Sequence, residues 1–199
     1  MSTGMRPSAW RTFRDCGARA LLARAGEPSS EAFSNALRAE AAGRFGAALS
    51  VSRRLAAQGH ADAQHHLAKM YDFGRRVNVN KRRAARLYRL AAGGGNVDAM
   101  FDMAVTYSDG DGVRPDPVQA QAYYTRAAEA GHDRAQSNLA MICWGGEHMP
   151  QDLERALRYF RMAAEQGNAN AQYNYGRMRA SGEGCEPDLA AAAEWHRRA

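Results

Sequence analysis

From Ala63 onward the apolar and small positions recur every 36 residues without a gap. Cut at that period, the chain gives segments 63–98, 99–134, 135–170 and 171–199, the last one incomplete. Position 1 is Ala63, Ala99, Ala135 and Ala171; position 5 is large (Leu67, Met103, Leu139, Tyr175) and position 6 small (Ala68, Ala104, Ala140, Gly176). Positions 1, 5, 6, 8 and 9 have the spacing of a helix with one apolar stripe. A second stripe takes positions 22, 25, 26 and 29. It carries Ala84, Ala120, Ala156 and Ala192 at position 22, and Leu87, Tyr123, Tyr159 and Trp195 at position 25.

Turn chemistry punctuates the stripes. Gly74, Gly110, Gly146 and Gly182 at position 12 can take positive φ and stop the first helix. Pro115, Pro150 and Pro187 discourage its continuation. Asp116, Asp152 and Asp188, with Asn80 in the first copy, stand where the second helix needs an N-cap. Gly95, Gly131 and Gly167 end that helix. Each copy therefore predicts a helix–loop–helix hairpin. One hairpin cannot bury its stripes alone, so consecutive hairpins must stack.

Residues 27–62 predict a divergent hairpin, with Ala48, Leu55, Ala56 and Gly59 on positions 22, 29, 30 and 33. Its first helix is expected over about 30–42, with Phe33, Ala36 and Leu37 inward and Gly43 as the stop. Residues 1–26 form an Arg-rich arm with one short helix (Trp10, Phe13, Leu21) expected to cap the stack.

Residues 99–131 carry Tyr107, Gly110, Gly112, Val113, Asp116, Tyr124, Ala127, Ala128 and Gly131 on the marks of the Sel1-like repeat, a relative of the tetratricopeptide repeat, which this segment resembles. Cys143 and Arg179 replace the Tyr in later copies. Arg76 and His148 replace a Gly, so the loops of the first and third copies are expected to differ in shape. The resemblance implies an all-α, right-handed α/α solenoid of four and a half to five hairpins. It also implies a non-enzymatic adaptor or scaffold that grips a peptide or helix of another protein in a concave groove. Positions 3, 4 and 7 of the first helices would face that groove: His65, His66, Lys69; Phe101, Asp102, Val105; Ser137, Asn138, Met141; Tyr173, Asn174, Arg177. Phe101, Met141 and Tyr173 are the expected anchors, since aromatic and large apolar side chains dominate interfaces. Trp144, at position 10 and off the core stripe, is a further one, whereas Trp195 sits on a core position.

Charge changes the picture in one place. The chain carries a net +6. Residues 1–62 hold +4, the four copies +6, −3, −1 and 0. The first copy has eight basic residues against two acidic, concentrated in Arg75, Arg76, Lys81, Arg82, Arg83, Arg86 and Arg89. Such a stretch suits an acidic protein or a nucleic acid. It equally suits a solvated helix face, the reading favoured here because no aromatic stacking platform is interleaved with it.

Catalytic and metal chemistry find no constellation. The adjacent His65 and His66 diverge by about 100° on a helix and cannot chelate together. Asp109-Gly-Asp111-Gly imitates the start of a calcium loop, but Ala120 stands where the closing Glu is needed. Gly93-Gly94-Gly95 ends a helix instead of opening one, so it cradles no phosphate. No cofactor is expected. Three widely spaced cysteines (Cys16, Cys143, Cys185), no secretory signal and no apolar run of membrane-spanning length point to a reducing, cytoplasmic setting. The last copy stops at position 29, leaving the end around Trp195 open to homodimerisation or a partner.

Overall fold

The computed structural model describes residues 27–146 and 150–199. Ten helices and no strand occur among them. The chain divides into two compact units, Met1–Leu55 and Ala56–Ala199. The first contains α1 (Glu27–Ala41) and most of α2 (Phe45–Ala57). Gly43 turns the chain between them at φ 78°. Ala36 and Ala48 are buried, but Leu37 is exposed, so it lies off the covered face expected of it. The arm and its short helix fall outside the described residues.

The second unit is an all-α solenoid of four hairpins. Its helices are α3 (Ala61–Phe73) and α4 (Lys81–Gly93), α5 (Val97–Asp109) and α6 (Pro117–Glu129), α7 (Asp133–Gly145) and α8 (Leu153–Glu165), α9 (Ala169–Ser181) and α10 (Leu189–Arg198). The expected punctuation is present. Gly74, Gly110, Gly146 and Gly182 close the first helices in the left-handed region. Asn80, Asp116, Asp152 and Asp188 accept backbone N–H bonds at the starts of α4, α6, α8 and α10. Their own N–H groups donate to the carbonyls of Tyr71, Tyr107, Cys143 and Arg179, tying each loop back to its first helix.

The first helices are capped by His60, Asn96, His132 and Asn168, which accept from the amides of Ala63, Ala99, Ala135 and Ala171 at 2.7–3.2 Å. Three of these caps also reach the preceding hairpin. Asn96 donates to Asp62 at 2.7 Å and Asn168 to Asp133 at 2.9 Å, while His132 Nε2 lies 3.5 Å from Asp98.

The core is small residues with large ones between them. Ala84, Ala120, Ala156 and Ala192 are buried, as are Ala91, Ala127 and Ala163. The large filler is position 26 (Tyr88, Tyr124, Phe160), all buried. At position 25 only Tyr159 is buried; Leu87, Tyr123 and Trp195 are half-buried. Positions 22, 26 and 29 lie on one line of the helix, and position 25 sits at its edge. Trp195 packs edge-on against Tyr175 at 5.4 Å.

Hairpins are also joined by a ladder of amides. The carbonyls of Ala56, Ala128 and Ala164 accept from Gln64, Gln136 and Gln172 at 3.0–3.1 Å. In the second copy that Gln is Met100, and Arg126 instead reaches the equivalent carbonyl of Ala92 at 3.3 Å. Close approach to the backbone of the preceding hairpin fixes Gly112 and Gly184: a Cβ on Gly112 (φ 77°) would lie 2.3 Å from the Lys81 carbonyl carbon, and one on Gly184 (φ 75°) 2.7 Å from the Leu153 carbonyl oxygen. Arg76 holds the corresponding left-handed turn at φ 62°, so at this residue the first copy's loop keeps the backbone of the second instead of departing from it. His148 lies outside the described residues.

Candidate partner-binding face

Positions 3, 4 and 7 of α3, α5, α7 and α9 differ widely in exposure. Phe101 is 4% exposed. Its ring stacks on His132 at 4.6 Å, tilts against Tyr124 and lies under Arg134. This corrects the expectation that Phe101 anchors a ligand: it is a core side chain, because the next hairpin's cap residue covers its face. Ser137 is buried as well. Met141 and Tyr173 are 42% and 54% exposed. Asn138, Asn174, Val105, Lys69 and His66 are half-buried.

His65 and Asp102 pair with each other across the first two hairpins at 2.8 Å. Below them, Tyr88 donates to Asp72 at 3.1 Å. Burial, with the charges of Asp102 and Asp72, pushes the Tyr88 hydroxyl far above its ordinary pKa, so it stays a neutral donor. These groups form a structural network instead of a free polar surface.

Trp144 is half-buried. Its Nε1–H donates to the Glu183 carboxylate, and the Arg177 guanidinium lies 4.2 Å over its ring. This places Trp144, Arg177, Met141 and Tyr173 on neighbouring first helices of the third and fourth hairpins. Glu183 was not named as a member: it stands 39 residues from Trp144, and although Asp111 and Glu147 hold the same position of their copies, that spacing does not point to an indole donor.

The basic stretch separates into spent and unspent charges. Lys81 donates to Asp72 and Asp111, both at 2.8 Å, and these bonds hold its ammonium above the ordinary pKa. Arg83 lies 4.4 Å over the buried Tyr71 ring, and Arg89 donates to the Tyr107 hydroxyl at 3.3 Å. Arg75 covers Phe73, which is exposed. Aromatic rings thus do accompany the arginines, which sequence spacing had not revealed. Arg82 and Arg86 stand exposed on α4 with no ion pair among the described residues. In the third copy the exposed Arg161 is paired with Glu165, whereas Arg89, at the same position, faces Gly93 where that Glu would be.

Cys143 and Cys185 are free thiols; burial pushes Cys143 up, away from thiolate chemistry. Among the described residues no cluster of His, Cys, Asp or Glu could hold a metal, and no helix is long and apolar enough to cross a membrane.

Residues 61–96, 97–132, 133–168 and 169–199 each match the family model of the Sel1 repeat, at the period read from the sequence. A Sel1 repeat protein from Oxalobacter formigenes is similar at 36% identity and a TM-score of 0.73, over 76% of this chain and 44% of that one. The protein c5321, a protective antigen of uropathogenic Escherichia coli displaying an SLR fold, is similar at 31% identity and a TM-score of 0.72, over 75% of this chain and 32% of that one. The chain spans less than half the length of either. The comparison with curated proteins gives no match. Four consecutive repeats, joined cap to cap through one alanine-lined core, make this chain a member of the Sel1 repeat family.

Proposed function

We propose that the chain is a non-enzymatic adaptor that holds a peptide or helix of a partner protein on the first-helix face of its third and fourth hairpins. Sel1 repeat proteins are in general protein-interaction scaffolds. The observation that carries the assignment is the exposure of two large apolar side chains, Met141 and Tyr173, on neighbouring first helices, at positions expected to face a groove. Exposed aromatic and Met side chains are the usual anchors of such surfaces. Asn138 and Asn174 stand beside them and suit capture of a peptide backbone. The unpaired Arg82 and Arg86 on α4 add a positive field that steers an acidic partner.

The test begins with a cross-linked pull-down from native lysate, split into nuclease-treated and untreated halves, which supplies a stoichiometric partner. Its affinity is then compared for the wild type and for Met141→Ala with Tyr173→Ala. A loss of roughly 10-fold or more, with helicity by circular dichroism unchanged, is expected. Unchanged affinity removes this face from the proposal. Bound material that disappears with nuclease shifts the reading to the basic face of α4 and a nucleic acid.

A further inference from the structure

We infer that the third and fourth hairpins hold a receptor for a carboxylate side chain, so that the bound segment carries an Asp or Glu beside a large apolar residue. This rests on the partner-binding face proposed above and names the chemistry that it selects.

The receptor is Arg177. Its guanidinium is fixed by its face, 4.2 Å over the Trp144 ring. The indole is itself held by the Glu183 carboxylate, whose other oxygen accepts from the Ser181 hydroxyl at 3.1 Å. Glu183 therefore orients the platform and makes no ion pair with Arg177 among the described residues. Arg177 Nε is buried and has no hydrogen-bond partner. Its terminal nitrogens bond to no described residue, and the side chain is partly open to water. Nearby arginines are spent: Arg179 on Asp188 at 2.6 Å and Arg161 on Glu165 at 2.8 Å.

A guanidinium clamped by its face, with its two terminal nitrogens unbonded, presents parallel N–H groups end-on, a geometry in which a planar carboxylate accepts in bidentate fashion. Clamping on the indole removes side-chain freedom before the ligand arrives, which lowers the entropic cost of binding. Tyr173 lies one turn before Arg177 on the same helix, and Met141 on the neighbouring one; both are exposed. They supply the apolar contact next to the charge. A single cation with Glu183 beside it suits a monoanion and disfavours the dianionic phosphate of a phosphopeptide or a nucleic-acid backbone.

The test uses the full chain and a displayed library of random 12-residue peptides. Enriched peptides are synthesised, along with versions in which Asp or Glu becomes Asn or Gln. Affinities are measured by calorimetry on wild type, Arg177→Gln, Trp144→Phe, Arg82→Glu, and Met141→Ala with Tyr173→Ala. The expected result is a shared acidic residue beside a large apolar one. The amide version should bind wild type about 10- to 100-fold more weakly, with no further loss on Arg177→Gln. Trp144→Phe, which keeps a ring but loses the bond to Glu183, should give an intermediate loss. Peptides that need no acidic residue, yet are lost on Met141→Ala with Tyr173→Ala, overturn the carboxylate receptor and leave the face standing. Peptides sensitive to Arg82→Glu alone overturn both and move binding to α4. Failure to enrich any peptide above background overturns both.

Discussion

Phe101 is enclosed by His132, Tyr124 and Arg134, so truncating it empties a core site instead of a binding surface. Phe101→Ala is expected to cost about 3–5 kcal/mol in urea unfolding. Tyr173→Ala, at a side chain more than half exposed, should stay within about 0.5 kcal/mol of wild type. The contrast matters because both residues occupy position 3 of their copies and read alike in the sequence. What separates them is the neighbour: Phe101 is covered by the cap residue of the next hairpin, while the Tyr173 ring tilts against His196 at 5.4 Å and stays open to water.

At the scale of the element, the carbonyls of Ala56, Ala92, Ala128 and Ala164 each accept a backbone N–H from the glycine three residues on, and a side chain of the next hairpin adds a second donor. Three copies use a buried Gln; the second, with Met100 there, uses Arg126. One such side-chain hydrogen bond contributes about 0.5–1.5 kcal/mol net. Arg126→Met is therefore expected to destabilise the chain by an amount of that order. Adding Met100→Gln to it should restore most of the loss, because the amide then reaches Ala92 as its counterparts do. A double variant no more stable than Arg126→Met alone would show that the two donors do not serve one acceptor. The helix caps follow the same logic of local satisfaction, but they were readable in advance for the second helices. Asp, Asn and Gly declare a boundary by their own chemistry, whereas a Gln declares nothing until its acceptor is known.

For the molecule as a whole, carboxyls that tie helices together, between hairpins at Asp133 and within the fourth hairpin at Asp188, titrate. Partial burial works against an ionised Asp133, yet the Asn168 amide, the Arg134 backbone N–H and the nearby cations outweigh it and hold its carboxyl below the ordinary value. Asp188 is held low by the Ala191 backbone N–H and then by Arg179. A carboxyl depressed in the fold contributes stability that is complete above the unfolded pKa of about 3.9 and is lost as pH falls through the folded value. The urea midpoint should thus be flat near neutrality and fall below about pH 4. Asp188→Asn should be less stable than wild type near neutrality and lose less on acidification. An identical acid limb in wild type and variant would show that Asp188 is not among the titrating links.

The 36-residue period, the two helices of each copy, their glycine stops and the Asp and Asn caps were all determined by the sequence, because each is a local matter of helical spacing, φ preference and a side chain within three residues of its partner. The family followed from the same marks. The candidate site was legible only in outline: Met141, Trp144, Tyr173 and Arg177 were named, but so was Phe101, and Lys81 stood among the free charges. Tertiary structure decided these. Phe101 is covered by His132, Lys81 is neutralised by an Asp 30 residues away, and Trp144 is oriented by a Glu 39 residues away. Equivalent positions in successive copies carry the same periodicity yet face different neighbours, and burial or free charge is a property of the neighbour.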